Sequence, residues 1–201
     1  MRTRIATDLH DDIGSNLTKI SILSEVAQRR FPANSGNDLL QKIAEASRES
    51  VSSMSDIVWA INPKKDSLLD LSRRMRQYAQ ETLEQRRIEF ELDASPAIEK
   101  LKLNADTRRN IYLIFKEALN NIVRHANADD VKIALRSEAG ELILLISDNG
   151  SGFETSGEFD GNGLESIRRR AVELGGHLTV TSCVGKGTSI IVSFKPAYTG
   201  G

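Results

Sequence analysis

The sequence predicts an α+β protein in two parts: an N-terminal helical hairpin, then an α/β sandwich with a mixed, mostly antiparallel sheet. Only Gly14 and Gly36 of the 14 glycines lie before residue 140, so the first part is rich in helix and the last part rich in turns. Apolar residues recur at spacings of three and four before Pro63, and they alternate in several short runs after it. We expect domains over residues 1–62 and 66–196.

Two long helices are predicted first, over residues 3–30 and 38–61, separated by the segment FPANSGN. The second helix ends at Asn62 because the residue before a proline avoids helical geometry. A hairpin alone leaves half of each apolar stripe in water, whereas two hairpins paired as a four-helix bundle bury both stripes. We therefore expect a homodimer through residues 1–62. The stripe residues are Ile5, Leu9, Ile13, Leu17, Ile20, Leu23 and Ala27, then Leu40, Ile43, Ser47, Ser50, Met54, Ile57 and Ile61.

The second part is predicted to combine three helices with five strands. Antiparallel pairs are expected across Ala139-Gly140 and across the later glycine-containing turn, with the helices on one face of the sheet. The predicted helices span residues 67–86, 105–126 and 164–174, and the strands span 87–92, 131–136, 141–147, 177–182 and 188–194.

Composition excludes several classes of protein. The 201 residues carry a formal net charge of −1 and no long basic run, which argues against nucleic-acid binding. A single cysteine, Cys183, permits neither an internal disulfide nor a cysteine-based metal site. No apolar run approaches the roughly 20 residues of a membrane span, so we expect no membrane contact by this segment. The helical pattern begins directly after Met1. We therefore expect this chain to be the cytoplasmic part of a longer protein, and that protein can be a membrane-anchored sensor.

Polar residues and glycines of the second part fall into an ordered set of four motifs. Each motif alone is a weak indication, because the polar row in the predicted helix 105–126 could be a face exposed to solvent, and glycine-rich turns are common. The order of the four motifs is specific: ExxxN in a helix, DxGxG after a strand, GxGL opening a helix, and GxGT before the last strand. Glycines at these places let the backbone approach a ligand closely. The residues of the set are Glu117, Asn121, Arg124, His125, Asp148, Gly150, Gly152, Gly161, Gly163, Leu164, Gly187 and Thr188.

This set resembles the ATP-binding domain that sensor histidine kinases share with gyrase, mismatch-repair ATPases and chaperone ATPases. The resemblance implies ATP and Mg²⁺ as cofactors, with Asn121 as the metal ligand and Glu117 as the acid that helps to polarise the attacking group or to orient water. It further implies that Arg124 and His125 face the phosphates and that Asp148 accepts from the adenine amine. The polar stretch 153–160 is interpreted as a lid over the nucleotide.

On the predicted first helix, His10 is expected on the flank of the apolar stripe and turned toward solvent, with Gly14 one turn away. Asp11 can hold the imidazole in its nucleophilic tautomer and accept its proton. A metal hydrolase of the His-Asp type would need further histidine ligands, and only His125 and His177 remain. Because Gly14 has no side chain, it can leave room for another domain to approach His10. The alternative is that it marks a kink without function.

The stretch RIATDLHDDIGSNLTKI resembles the dimerisation and phosphoacceptor helix of the NarX/DesK class of histidine kinases. The two resemblances imply a protein-histidine kinase that phosphorylates His10 and passes the phosphoryl group to an aspartate of a NarL-like response regulator. The alternative is a nucleotide-binding dimerisation module that signals by conformation alone. Members of the class commonly carry Gln five residues after the phosphoacceptor. Ser15 stands there instead, which predicts weak dephosphorylation of the regulator.

Overall fold

The computed structural model describes residues 67–95, 101–154 and 162–196, together with scattered positions between 19 and 59. The chain divides into two compact units, Met1–Asn62 and Pro63–Gly201. His10 and Asp11 lie outside the described residues, as do the predicted bundle positions Ile13 and Ile57.

The first unit is helical at every position that the structure describes. Ile20 and Leu23 of the predicted stripe are half-buried, whereas Lys19 is exposed and Ile22 keeps 55% of its surface in solvent. In the second predicted helix, Ser50 is buried and donates its hydroxyl to the carbonyl of Ala46, 2.9 Å away and one turn earlier. These positions agree with the helices and the inward-facing side that the sequence predicts.

The described elements of the second unit are α1 (Leu68–Leu83), β1 (Glu89–Ala94), α2 (Ala105–Asn121), β2 (Asp130–Glu138), β3 (Glu141–Asp148), α3 (Asn162–Glu173), β4 (His177–Ser182) and β5 (Thr188–Phe194). The five strands form one sheet in the order β1-β2-β3-β5-β4. Strands β1 and β2 are parallel and every other neighbouring pair is antiparallel, so the predicted mixed, mostly antiparallel sheet is confirmed.

Side-chain caps explain where the first two helices of this unit begin. The hydroxyl oxygen of Ser67 accepts from the backbone N–H of Asp70 at 3.1 Å, and the side chain of Asn104 accepts from Thr107 at 2.7 Å. Such caps satisfy backbone donors that have no partner inside the helix. At its other end α1 tightens into a 3₁₀ turn over Glu84–Arg86, and Arg87 then adopts a left-handed φ of 59°. The predicted strand 87–92 is therefore wrong in its bounds, because this turn delays β1.

The core lies between one face of the sheet and the helices. Buried and half-buried positions alternate along β3, and the buried set Leu142, Leu144 and Ile146 ends at Asp148. All three helices contact the sheet, and α2 contributes Ile111 and Phe115 with no exposed surface. Asp148 therefore stands at the edge of a dry core, on the side that the helices cover.

Candidate functional site

Asp148 is a carboxylate at the boundary of the core, with 9% of its surface exposed. Its Oδ1 atom accepts from the backbone N–H of Gly150 at 2.8 Å, and the backbone N–H of Thr188 donates to the same carboxyl group. Burial raises the pKa of Asp148 because it disfavours the charged form, and the two N–H donors oppose part of that shift. The group can accept from a ligand donor when charged, and it can donate when protonated.

The loop that follows Asp148, residues 149–152, is held by hydrogen bonds on both sides. The side-chain oxygen of Asn149 accepts from the backbone N–H groups of Asp129 and Asp130, at 2.9 and 3.0 Å. The N–H of Ser151 donates to the carbonyl of Ala126 at 2.6 Å, and the carbonyl of Ser151 accepts from Gly185 at the same distance. The loop is thereby held between the segment that follows α2, at Ala126, and the turn that joins β4 to β5.

Gly152 is where that loop meets the β4–β5 turn at close range. Its φ is +57°, and a Cβ atom added to it would collide with the carbonyl of Cys183. Gly187 closes the same turn, and the N–H of Cys183 donates to its carbonyl at 3.4 Å. The predicted glycines of DxGxG and GxGT thus lie together, next to Asp148 and Thr188.

Glu117 and Asn121 lie one turn apart on α2 and are half-buried. A Cβ atom at Gly163 would lie 2.5 Å from Oε1 of Glu117 and 3.0 Å from Oδ1 of Asn121. The backbone of the first turn of α3, which includes Leu164, therefore packs directly against both side chains. A helix N-terminus directs N–H groups at anions, so this arrangement suits a phosphate group.

Arg124 and His125 lie within a π turn, and this corrects the prediction of one α-helix over 105–126. The α-helix ends at Asn121, and residues Ile122–Ala126 form the π turn. Glu117, Asn121, Arg124 and His125 therefore do not share one face at α-helical spacing. Both basic side chains are exposed, and the π turn is fastened where Ser151 donates its hydroxyl to the carbonyl of His125 at 3.3 Å. A π turn is a rare element that occurs often at functional sites.

The structure brings most predicted residues of the second unit together. Asp148, Gly150, Gly152, Gly187 and Thr188 form one cluster, and Glu117, Asn121, Gly163 and Leu164 form another. Gly161 and most of the predicted lid lie outside the described residues.

Two polar residues at this site were missed by the sequence analysis. Asn149 occupies the variable position between Asp148 and Gly150 in DxGxG. The tripeptide DNG is the local pattern from which a role for Asn149 could have been predicted. Ser182 accepts from the N–H of Phe153 at 2.9 Å, and no local pattern marks it.

Two family models together match most of the chain. One, described as histidine kinase, matches residues 2–66, and the other, described as histidine kinase-, DNA gyrase B- and HSP90-like ATPase, matches residues 106–198. The chain belongs to the sensor histidine kinases. The predicted resemblance is therefore confirmed, and the second match supports the use of ATP by this unit.

Relatives of this histidine kinase chain extend over nearly its whole length. The kinase/phosphatase UhpB of Salmonella typhimurium is 33% identical over 98% of the chain, and the sensor histidine kinase MctS of Rhizobium johnstonii is 29% identical over 90%. The chain spans only 39% and 40% of those two relatives. In fold it is similar to the histidine kinase AdeS of Acinetobacter baumannii, at a TM-score of 0.63 and 16% identity, over 92% of this chain and 97% of that one.

Two further features are absent from the described residues. No helix there is long and apolar enough to cross a membrane. No group of three or more histidine, cysteine, aspartate or glutamate side chains in that part of the chain is arranged to hold a metal ion.

Proposed function

We propose that this chain is the catalytic core of a two-component sensor histidine kinase. It uses ATP to phosphorylate its own His10 and then passes the phosphoryl group to an aspartate of a response regulator. The observation that carries the proposal is the packing of the first turn of α3 against Glu117 and Asn121, which juxtaposes anion-binding N–H groups with an acid and an amide.

The nucleotide is bound by two clusters with different chemistry. Asp148 accepts from the exocyclic amine of adenine, and the glycines beside it let the loop after β3 and the β4–β5 turn pack closely around that carboxylate. The N–H groups of Gly163 and Leu164 bind the phosphates, and the exposed Arg124 and His125 face them, with Arg124 adding positive charge.

Asn121 holds Mg²⁺ in this proposal. When bound, Mg²⁺ neutralises the charge that develops on the phosphates. A neutral amide oxygen suits this ion where the triphosphate already supplies negative ligands.

His10 is the phosphoacceptor. One imidazole nitrogen attacks the γ-phosphorus, an N–P bond forms, and the bond from that phosphorus to the β–γ bridging oxygen breaks to release ADP. Asp11 accepts the proton that the imidazole loses and stabilises its cationic form. Glu117 polarises the attacking group. The match of the histidine kinase model to residues 2–66 supports this assignment.

The partners follow from the same assignment. Residues 1–62 form a homodimeric four-helix bundle, and the regulator is of the NarL-like type. The chain works in the cytoplasm, as the cytoplasmic part of a longer sensor.

To test the dimer, placing a charged residue at both Ile13 and Ile57 should give monomers in sedimentation. A dimer that persists in this variant would show that the interface lies elsewhere in the chain.

Phosphate chemistry tests the proposed reaction directly. After incubation with ATP and Mg²⁺, the protein should carry phosphate that is labile in acid and stable in base. His10→Gln should abolish this phosphate while ATP binding persists. His177→Gln, at an exposed position of β4, is the matched control and should retain it. Phosphate that persists in His10→Gln would refute His10 as acceptor. Bound ATP without any phosphorylation of the wild type would favour the conformational module.

A further inference from the structure

Tyr78, on α1, is joined to α2 through both its hydroxyl and its ring. The hydroxyl donates to the side-chain oxygen of Asn120 at 3.0 Å. The ring packs edge-on against the ring of the buried Phe115, with 6.0 Å between the two centroids, and the ammonium group of Lys116 lies 4.9 Å from the centroid of the tyrosine ring. Because these contacts fix the ring, its hydroxyl holds Asn120 from a fixed point on α1.

Asn120 lies on α2 between Tyr78 and the side chain that is proposed to hold Mg²⁺. Lys116 and Asn120, one turn apart, lie toward α1. Glu117 and Asn121, the next residue along in each case, lie toward the first turn of α3. Successive residues of an α-helix are about 100° apart around its axis, so a rotation of the last turn that moves one row also moves the other. The bond from Tyr78 to Asn120 therefore limits the directions in which Asn121 can present its amide.

The last turn of α2 needs such an anchor because the hydrogen-bond pattern of the helix changes there. The N–H of Ile122 is shared between two carbonyls of the preceding turn, and the π turn begins at this residue. Helix ends fray, so this turn is held less firmly than the interior of the helix. At the far end of the π turn, the N–H of Ser151 donates to the carbonyl of Ala126. Asn121 thus lies between two anchored points, and Tyr78 supplies the first of them.

We propose that Tyr78 is a positioning residue for Mg²⁺. By anchoring Asn120 it fixes the last α-helical turn of α2, so that Asn121 presents its amide oxygen to the ion that accompanies ATP. The proposal rests on the assignment of Asn121 to Mg²⁺. Tyr78 acts through α2 and contacts neither the ion nor the nucleotide. The alternative is a tyrosine that only packs α1 against α2.

The test measures how strongly Mg²⁺ tightens ATP binding to the wild type and to Tyr78→Phe. The dissociation constant of ATP is determined in excess Mg²⁺ and again in EDTA, and the factor between the two values is the Mg²⁺ effect. Tyr78→Phe keeps the ring and its contacts but removes the hydroxyl. It should lower the Mg²⁺ effect roughly threefold to tenfold, the range that corresponds to one hydrogen bond, and leave the affinity in EDTA at the wild-type value.

A second variant and a control assign the effect to one bond. Asn120→Ala removes the acceptor of the same bond, so it should lower the Mg²⁺ effect by a similar factor. The double variant should lose no more than either single variant, because both changes remove the same interaction. Gln77→Ala is the control, because Gln77 is the exposed neighbour of Tyr78 and donates to Glu81 within α1. It should leave the Mg²⁺ effect unchanged.

The outcomes distinguish this inference from the proposed function. ATP binding that Mg²⁺ does not tighten in the wild type would overturn the assignment of Mg²⁺ to this site, and the role of Tyr78 with it. Where Mg²⁺ does tighten binding to the wild type, an equal Mg²⁺ effect in Tyr78→Phe would overturn the role of Tyr78 alone. Equal losses of affinity in Mg²⁺ and in EDTA would do the same, because they would show that Tyr78 only packs the helices together. So would additive losses in the double variant.

Discussion

The two ends of the candidate nucleotide site are built in different ways. At the base-reading end, the carboxylate of Asp148 is nearly enclosed, and backbone N–H groups hold it on two sides. At the phosphate end, Glu117 and Asn121 are half-buried, and Arg124 and His125 are exposed. Loop-to-turn hydrogen bonds fasten the first end, whereas close backbone packing at Gly163 shapes the second.

This difference corresponds to what each end is proposed to recognise. A base is read through a few directional hydrogen bonds, so its partners must be fixed before it arrives. Phosphates carry charge that acts over a longer range, so exposed cations and a helix N-terminus can bind them with less exact placement. We therefore expect changes at the base-reading end to alter which nucleotide binds, and changes at the phosphate end to alter how tightly every nucleoside triphosphate binds.

The largest expected effect is the loss of base discrimination in Asp148→Asn. Guanine presents an oxygen where adenine presents its amine, so a charged carboxylate opposes GTP. Sites that require such a bond reject the mismatched base by factors on the order of 10⁴. An amide can present its oxygen or its NH₂ group, so the ATP:GTP affinity ratio should fall toward one. Titration of both nucleotides measures it, and an unchanged ratio would exclude Asp148 from reading the base.

Gly163→Ala is the corresponding change at the phosphate end. The added methyl group would meet Oε1 of Glu117 at 2.5 Å, so α3 must shift or the acid must move. Overpacking costs about 1–3 kcal/mol, and the lower part of that range applies here because the contacted atom is the far end of a flexible side chain, so we expect roughly fivefold to 30-fold weaker ATP binding. The ATP:GTP ratio should remain that of the wild type. Glu165→Ala, an exposed position of α3, is the control, and a changed ratio in Gly163→Ala would contradict the separation of the two ends.

Asn149→Ala should have a smaller effect, confined to the base-reading loop. It removes the acceptor for the N–H groups of Asp129 and Asp130, which water can partly replace because these bonds are exposed. We expect a loss of about 1 kcal/mol in the free energy of unfolding, measured by urea denaturation. Asn149→Asp keeps the acceptor oxygen and should recover most of it. Equal losses in both variants would show that the amide NH₂ group, and not the oxygen, matters.

The smallest expected effect is the pH dependence of stability that Asp148 contributes. Burial raises its pKa, so the folded state favours the protonated form. The stability this group contributes is therefore present below its unfolded pKa, and it is lost as pH rises through the raised folded value. In the ligand-free protein, Asp148→Asn should gain melting temperature relative to wild type as pH goes from acidic to neutral. A difference independent of pH would contradict a raised pKa.

Local patterns in the sequence determined most elements of the second unit. The strands His177–Ser182 and Thr188–Phe194 have the predicted bounds, because alternation and a glycine-containing turn act between near neighbours. The order of the four motifs was sufficient to predict the ATPase resemblance that the family match supports. The roles of His10 and Asp11 remain predictions from their motif.

Tertiary structure alone decided the geometry of the candidate site. The sequence predicted an unbroken α-helix to residue 126. In the structure the last five residues, Ile122–Ala126, form a π turn instead, and the carbonyl of Ala126 accepts from the N–H of Ser151 in the neighbouring loop. The approach of Gly163 to Glu117 and Asn121, and the bonds of Ser182 to Phe153 and Thr188, join segments that are distant in the chain. Periodicity reports which face of an element is apolar. It carries no information about which other element a given polar atom will meet, because that depends on how the sheet and helices pack.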